Sequence, residues 1–91
     1  MKFRAKPVII EAIQWTGDNV LDVGDFLGND NRNITWGILH SKKSVSISTL
    51  GGIVIAYAGD WIVKGVQGEF YPRKPEIFEQ TYEPVSGMEG K

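Results

Sequence analysis

Residues Ile34 to Ala58 read ITWGILHSKKSVSISTLGGIVIAYA, and three strands follow from their spacing. Ile34 to His40 alternates, with Ile34, Trp36 and Ile38 on one face. Val45 to Leu50 alternates again and sets Val45, Ile47 and Thr49 against Ser44, Ser46 and Ser48. A period of two places alternate side chains on opposite faces of a pleated strand. Ile53 to Ala58 is a continuous apolar run and the third expected strand. Ser41-Lys42-Lys43-Ser44 and Gly51-Gly52 are short enough to be hairpin connections, and both glycines tolerate positive φ. The segment is therefore expected to be an antiparallel meander.

Downstream, Gly59-Asp60 breaks the chain. Trp61 to Lys64 and Glu69 to Tyr71 form a further expected hairpin, closed through Gly65 to Gly68. Pro72 is expected to end it, because proline donates nothing to a ladder. Pro75 suits the first position of a short helix carrying Ile77 and Phe78, and Tyr82 to Val85 is expected to return as a short edge strand. Upstream, Val8 to Trp15 reads as a strand with Ile9, Ile13 and Trp15 on one face and Val8, Ile10 and Ala12 on the other. Apolar residues on both faces point to a central or covered strand. After the turn Thr16-Gly17-Asp18-Asn19, Asp18 or Asn19 is the expected N-cap of a helix running to Leu27. Val20, Val23, Phe26 and Leu27 form its apolar stripe; Gly24 weakens it and Gly28 ends it. Gly28 to Asn33 is a polar loop. Together these elements predict an α+β fold: a mainly antiparallel, curled or partly barrel-like sheet with one or two short helices. Residues 1–85 form the expected single domain and 86–91 a flexible tail, with Trp36, Trp61, Phe70, Phe78 and Tyr82 as core or interface candidates.

Composition narrows the chemistry mainly by exclusion. The chain has 91 residues, 42% hydrophobic and 23% charged, ordinary values for one small globular domain. It has no cysteine, so it has neither a disulfide framework nor a thiolate metal site, and a reducing compartment is the expected setting. Ten basic residues against eleven acidic ones argue against a duplex nucleic-acid binder, which carries a clear basic excess. The basic start Met1 to Lys6 is followed by an apolar run that stops at Glu11, too short for a signal segment. No stretch approaches the roughly 20 apolar residues of a membrane-spanning helix.

Catalytic sets are missing in the same way. His40 is the single histidine, and none of Ser41, Ser44, Ser46 or Ser48 lies in a nucleophile-elbow pattern. Asp18, Asp22 and Asp25 lie about one helical turn apart, a spacing that complements a helix dipole as readily as it holds a divalent ion. Glu76, Glu79 and Glu83 read as solvated positions beside the second helix. Neither Gly51-Gly52 nor Gly65-Val66-Gln67-Gly68 has the spacing of a phosphate loop. The expectation is a protein that is not an enzyme, with no catalytic residue, metal or cofactor.

One constellation suits binding. Trp61, Lys64, Tyr71, Arg73 and Lys74 interleave rings with cations around the second hairpin, and Arg4, Lys6 and Trp15 add to them from the first strand. Aromatic rings stack on a nucleobase and cations meet phosphate, so these eight residues are candidates for a nucleotide-like ligand. The competing reading is that the tryptophans fill the core and that Lys64 pairs with Glu69 across the hairpin.

The block Gly59 to Val85, GDWIVKGVQGEFYPRKPEIFEQTYEPV, and the opening MKFRAKPVIIEAIQWTGDN resemble small proteins encoded in phage and prophage genomes. The closing block is also similar to the PGDYG domain, with Ala58 for the proline, Trp61 for the tyrosine and Ile62 for the final glycine. The resemblance implies an accessory phage product acting in the host bacterial cytoplasm. It is compatible with an anti-CBASS sponge, a homo-oligomer that sequesters a cyclic nucleotide immune signal, and it transfers no binding residue. The alternative expectation is a protein–protein inhibitor or adaptor acting on a host factor; a structural accessory of the particle is a third.

Overall fold

The computed structural model describes residues 1–3, 8–28 and 34–85. In chain order the elements are β1 (Glu11–Gln14), α1 (Val20–Leu27), β2 (Ile34–Leu39), β3 (Lys42–Thr49), β4 (Gly52–Tyr57), β5 (Trp61–Lys64), β6 (Phe70–Arg73) and α2 (Pro75–Thr81). Among the described residues the strands form two antiparallel sheets of three, in the orders β1-β5-β6 and β2-β3-β4. The fold is α+β, and its curled sheets are not closed into a barrel. The expected tail, residues 86–91, lies outside the described residues. Among those described, no helix is long and apolar enough to cross a membrane.

The meander forms as its alternation requires, with Ile34, Ile47 and Val54 on one rung and Trp36, Val45 and Ala56 on the next. Its first turn is tighter than the composition suggested, and its second is shifted by one residue. The first is the pair His40-Ser41, both at positive φ (52° and 66°), so Lys42 already pairs with Leu39. In the second, Thr49 pairs with Gly52, which moves the turn to Leu50-Gly51. Two-residue hairpins favour positive φ because that twist matches the flanking strands.

Four other expectations are corrected. β1 is confined to Glu11–Gln14 and lies at the edge of its sheet, with β5 as the central strand. Pro72 does not end its hairpin but stands inside β6 opposite Ile62, on an edge strand whose outer side needs no donor. Tyr82 to Val85 follows α2 without joining a sheet. Lys64 does not pair with Glu69; its rung partners are Phe70 and Glu11. Glu69 instead folds over the turn and accepts the Gln67 N–H at 3.0 Å, where a Cβ on residue 65 would collide with its carboxylate.

Trp15, Val23, Val45, Ile47, Ala56 and Ile62 make the core between the two sheets, with Ile13, Phe26, Leu27, Ile34, Val54 and Phe70 packed around them. Every strand contributes at least one of these side chains, and α1 adds Val23, Phe26 and Leu27. Of the five aromatic candidates for core or interface, none is fully buried. The buried ring is Trp15, which packs on Trp36 with centroids 5.3 Å apart. Trp15 N–H bonds the Asp60 carbonyl at 2.8 Å and Gly59 N–H bonds the Trp15 carbonyl at 2.6 Å, carrying the β1–β5 pairing one residue beyond Gln14.

Helix ends match the residues that flank them. Asn19 is the N-cap of α1, but its side chain makes no capping bond. Its Oδ1 accepts Thr16 N–H at 2.9 Å and its Nδ2 donates to the Gln14 carbonyl at 2.8 Å, so it braces the preceding turn. Gly28 closes α1 at φ 108°, donating to the carbonyls of Gly24 and Asp25. Pro75 opens α2, as its fixed φ suits.

Candidate functional site

The sheet β1-β5-β6 has a second face, turned away from the core. Antiparallel partners share a face. The rungs Ala12–Val63–Tyr71 and Gln14–Trp61–Arg73 therefore place those six side chains together there. α2 covers part of this face. Phe78 stacks on Trp61 with centroids 4.2 Å apart and planes 6° from parallel, and Tyr82, one helical turn on, lies 5.0 Å from Phe78. The Tyr82 and Tyr71 hydroxyls stand 3.4 Å apart and close the row. That hydroxyl contact, then partial burial, raises the Tyr71 pKa above the ordinary tyrosine value; the Arg73 guanidinium opposes the rise.

Beside α2 the same face is open. A groove of about 560 Å³ runs between Val8–Ile10 and Ala12 on one side and Phe78, Tyr82 and Pro84–Val85 on the other, with Trp61 among its lining residues. Among the described residues, the charged ones that line it are Glu79 and Glu83. Val8, Ile9 and Val85 are exposed in spite of their apolar side chains. An apolar recess bordered by a few polar groups has the character of a binding site. Among the described residues the indole N–H groups of Trp61 and Trp15 are buried without an acceptor.

The eight residues expected to bind a ligand divide into several groups. Trp61, Tyr71 and Arg73 do share one face, and the Arg73 guanidinium lies 4.4 Å over the Tyr71 ring while donating to the Pro72 carbonyl at 3.0 Å. Lys74 precedes α2 and leans the other way, 3.9 Å from the buried carboxylate of Asp60 and 5.7 Å from the Tyr57 ring. Lys64 is an odd number of residues from Trp61, so it projects from the opposite face at the far end of β5. Trp15, 2% exposed, belongs to the core. Arg4 and Lys6 lie outside the described residues.

Sequence reasoning missed most of the groove. Glu79 and Glu83 read as solvated positions, yet they border it. Phe78 turns to the sheet while its neighbour Ile77 is exposed. The available signal was the spacing of Phe78 and Tyr82, four residues apart on a helix begun by a proline. Nothing local tells that Val8–Ile10, about seventy residues earlier in the chain, forms the other wall.

His40 sits in the β2–β3 turn with its ring 6.3 Å from that of Tyr57. Asp18 meets Lys43 at 3.1 Å, and among the described residues no group of three or more histidine, aspartate or glutamate side chains is placed to hold a metal ion. Compared with protein-family models, curated proteins and solved structures, the chain matches none.

Proposed function

We propose that this is a non-catalytic binding protein whose groove takes an apolar segment of a partner protein, a segment that also carries lysine or arginine. One observation carries the reading: among the described residues the groove is walled by aliphatic and aromatic side chains, and the charged ones that line it, Glu79 and Glu83, are carboxylates. Apolar anchors gain by leaving water. Carboxylates at the border favour a cationic flank and repel an anionic one, selecting partners more than adding affinity. The phage resemblance of the opening and closing blocks supports a partner from the host cytoplasm, with the protein as inhibitor or adaptor.

Selection from a displayed random-peptide library tests this. Enriched peptides are expected to combine an apolar anchor with flanking Lys or Arg, and to bind at least about tenfold more weakly to the Glu79→Lys, Glu83→Lys double variant. Acidic consensus peptides, or binding indifferent to both substitutions, would refute it.

A second reading keeps its own observation. Trp61, Tyr71 and Arg73 share a face, with the Arg73 guanidinium over the Tyr71 ring, a grouping that suits a small anionic ligand such as a cyclic nucleotide signal held by a sponge-like homo-oligomer. Calorimetric titration with a cyclic-nucleotide panel separates the two. Heat and a raised melting temperature, both lost in Arg73→Ala, favour sequestration; their absence across the panel leaves the peptide reading alone.

A further inference from the structure

We infer that β2 is the seat of a two-fold homodimer: the outer edges of two β2 strands pair antiparallel, joining two three-stranded sheets into one of six. The inference is independent of the groove. It starts from the β2–β3 hairpin, where His40 and Ser41 both have positive φ and Leu39 pairs with Lys42. In a two-residue hairpin of this kind the residues flanking the turn exchange both backbone bonds. Bonded rungs alternate along an antiparallel pair. Leu39, Gly37 and Thr35 therefore direct their N–H and C=O groups to β3, while Ile38, Trp36 and Ile34 direct theirs to the open edge.

Among the described residues no strand pairs with that edge. The other sheet margins are protected in the ways proteins use to prevent pairing. β1 has only four residues and begins with Glu11; β6 carries Pro72 and Arg73; β4 lies beside β6. β2, ITWGIL, is six residues long with no charge and no proline, and five of the six are exposed.

Self-pairing of this strand is complementary. A two-fold axis normal to the sheet leaves each face on its own side, so residues from the same face must meet across it. Centred on Gly37, the register sets Trp36 opposite Ile38 of the partner subunit and Thr35 opposite Leu39 of the partner subunit. Trp36 and Ile38 are the residues whose backbone groups are free at this edge, so both of their symmetry-related rungs are hydrogen-bonded. Ile38, 70% exposed, is covered by an indole that is itself 36% exposed. An apolar, uncharged strand that matches itself in face and in hydrogen bonding commits the edge to a second copy of this chain.

Light scattering after size exclusion, on the full chain from about 1 to 200 µM, reads the association directly. The expected mass rises to twice 10.1 kDa. Two variants address the edge. Ile38→Lys places a cation against the partner's Trp36, and Ile38→Pro removes an edge donor without removing a β2–β3 bond. Each is expected to weaken dimerisation by more than about tenfold. Leu50→Lys, in an exposed turn, leaves it unchanged. Amide exchange adds an independent readout: Trp36 and Ile38 are protected at high concentration and exchange freely on dilution, whereas Thr35 and Gly37 stay protected throughout. A monomer over the whole range, a dimer that survives both Ile38 variants, or a dimer with unprotected Trp36 and Ile38 amides overturns the inference.

Discussion

Replacing Phe78 by alanine should release α2 and leave the rest of the fold standing. α2 has seven residues and no side-chain N-cap bond. Helices this short are unstable in water, so α2 owes its existence to docking. The docking centres on one stack, Phe78 on Trp61 at 4.2 Å, extended by Tyr82. Truncating a fully buried Phe to Ala costs about 3–5 kcal/mol. Phe78 is half-buried, so roughly half of that cost applies, about 1.5–2.5 kcal/mol. The lost ring pair adds about 0.5–1.5 kcal/mol, giving a total of about 2–4 kcal/mol. That loss falls mainly on the local opening of α2, because Phe78 is not a member of the core cluster. Amide exchange resolves the two cases. The N–H groups of Phe78 and Tyr82, bonded to the carbonyls of Lys74 and Phe78, should exchange about 30- to 1000-fold faster, while those of Ile62 and Val63 stay near wild type. Phe78→Leu, which keeps an apolar side chain without the stack, should fall between. Unchanged protection of α2 in Phe78→Ala, or equal loss in β5, would show that α2 is not held by this stack.

Further outcomes follow from the same contacts. Ile62→Ala, at a fully buried position on the central strand β5, should lower stability by about 2–5 kcal/mol and shift the denaturant midpoint accordingly. Asp60 is buried and its Oδ2 accepts the Tyr57 N–H at 3.0 Å. Asp60→Ala leaves that donor unpartnered, at a cost of about 1–3 kcal/mol by thermal unfolding, and Asp60→Asn restores part of it. Ser41→Gly relieves a left-handed residue in the β2–β3 turn and should stabilise the protein by about 0.5–1.5 kcal/mol in urea titration. For Tyr71 the folded pKa is raised, so the neutral phenol is favoured by folding. Its contribution is fully present below the ordinary tyrosine value of about 10 and is lost as pH climbs through the higher folded value. Ultraviolet titration should show a late-ionising tyrosine that moves earlier in Tyr82→Phe.

The groove illustrates why burial cannot be assigned from residue type. Trp15 and Trp61 are chemically identical, and both stood among the candidate ligand contacts. Trp15, just beyond the end of β1, faces the core and is enclosed; Trp61 lies on the far face of β5 and borders the groove. A strand's alternation says which residues share a face and leaves open which face is covered. Lys64 follows the same rule in reverse. Its distance in sequence from Trp61 suggested one cluster, yet parity sends it to the opposite face.

The sequence by itself determined the element types and most of their order. The meander of residues 34–58, the Gly28 stop and the Pro75 start were all legible, because alternation, positive-φ tolerance and a missing N–H are local properties. Tertiary structure decided the separation into two sheets, the edge position of β1, and the meeting of Val8–Ile10 with Phe78 and Tyr82 across the groove. Those outcomes depend on pairings between residues distant in the chain, whose free energy comes from mutual burial that no single segment encodes. The open edge of β2 belongs to both levels: its uncharged ITWGIL is written in the chain, and its want of a neighbour among the described residues is a consequence of the fold.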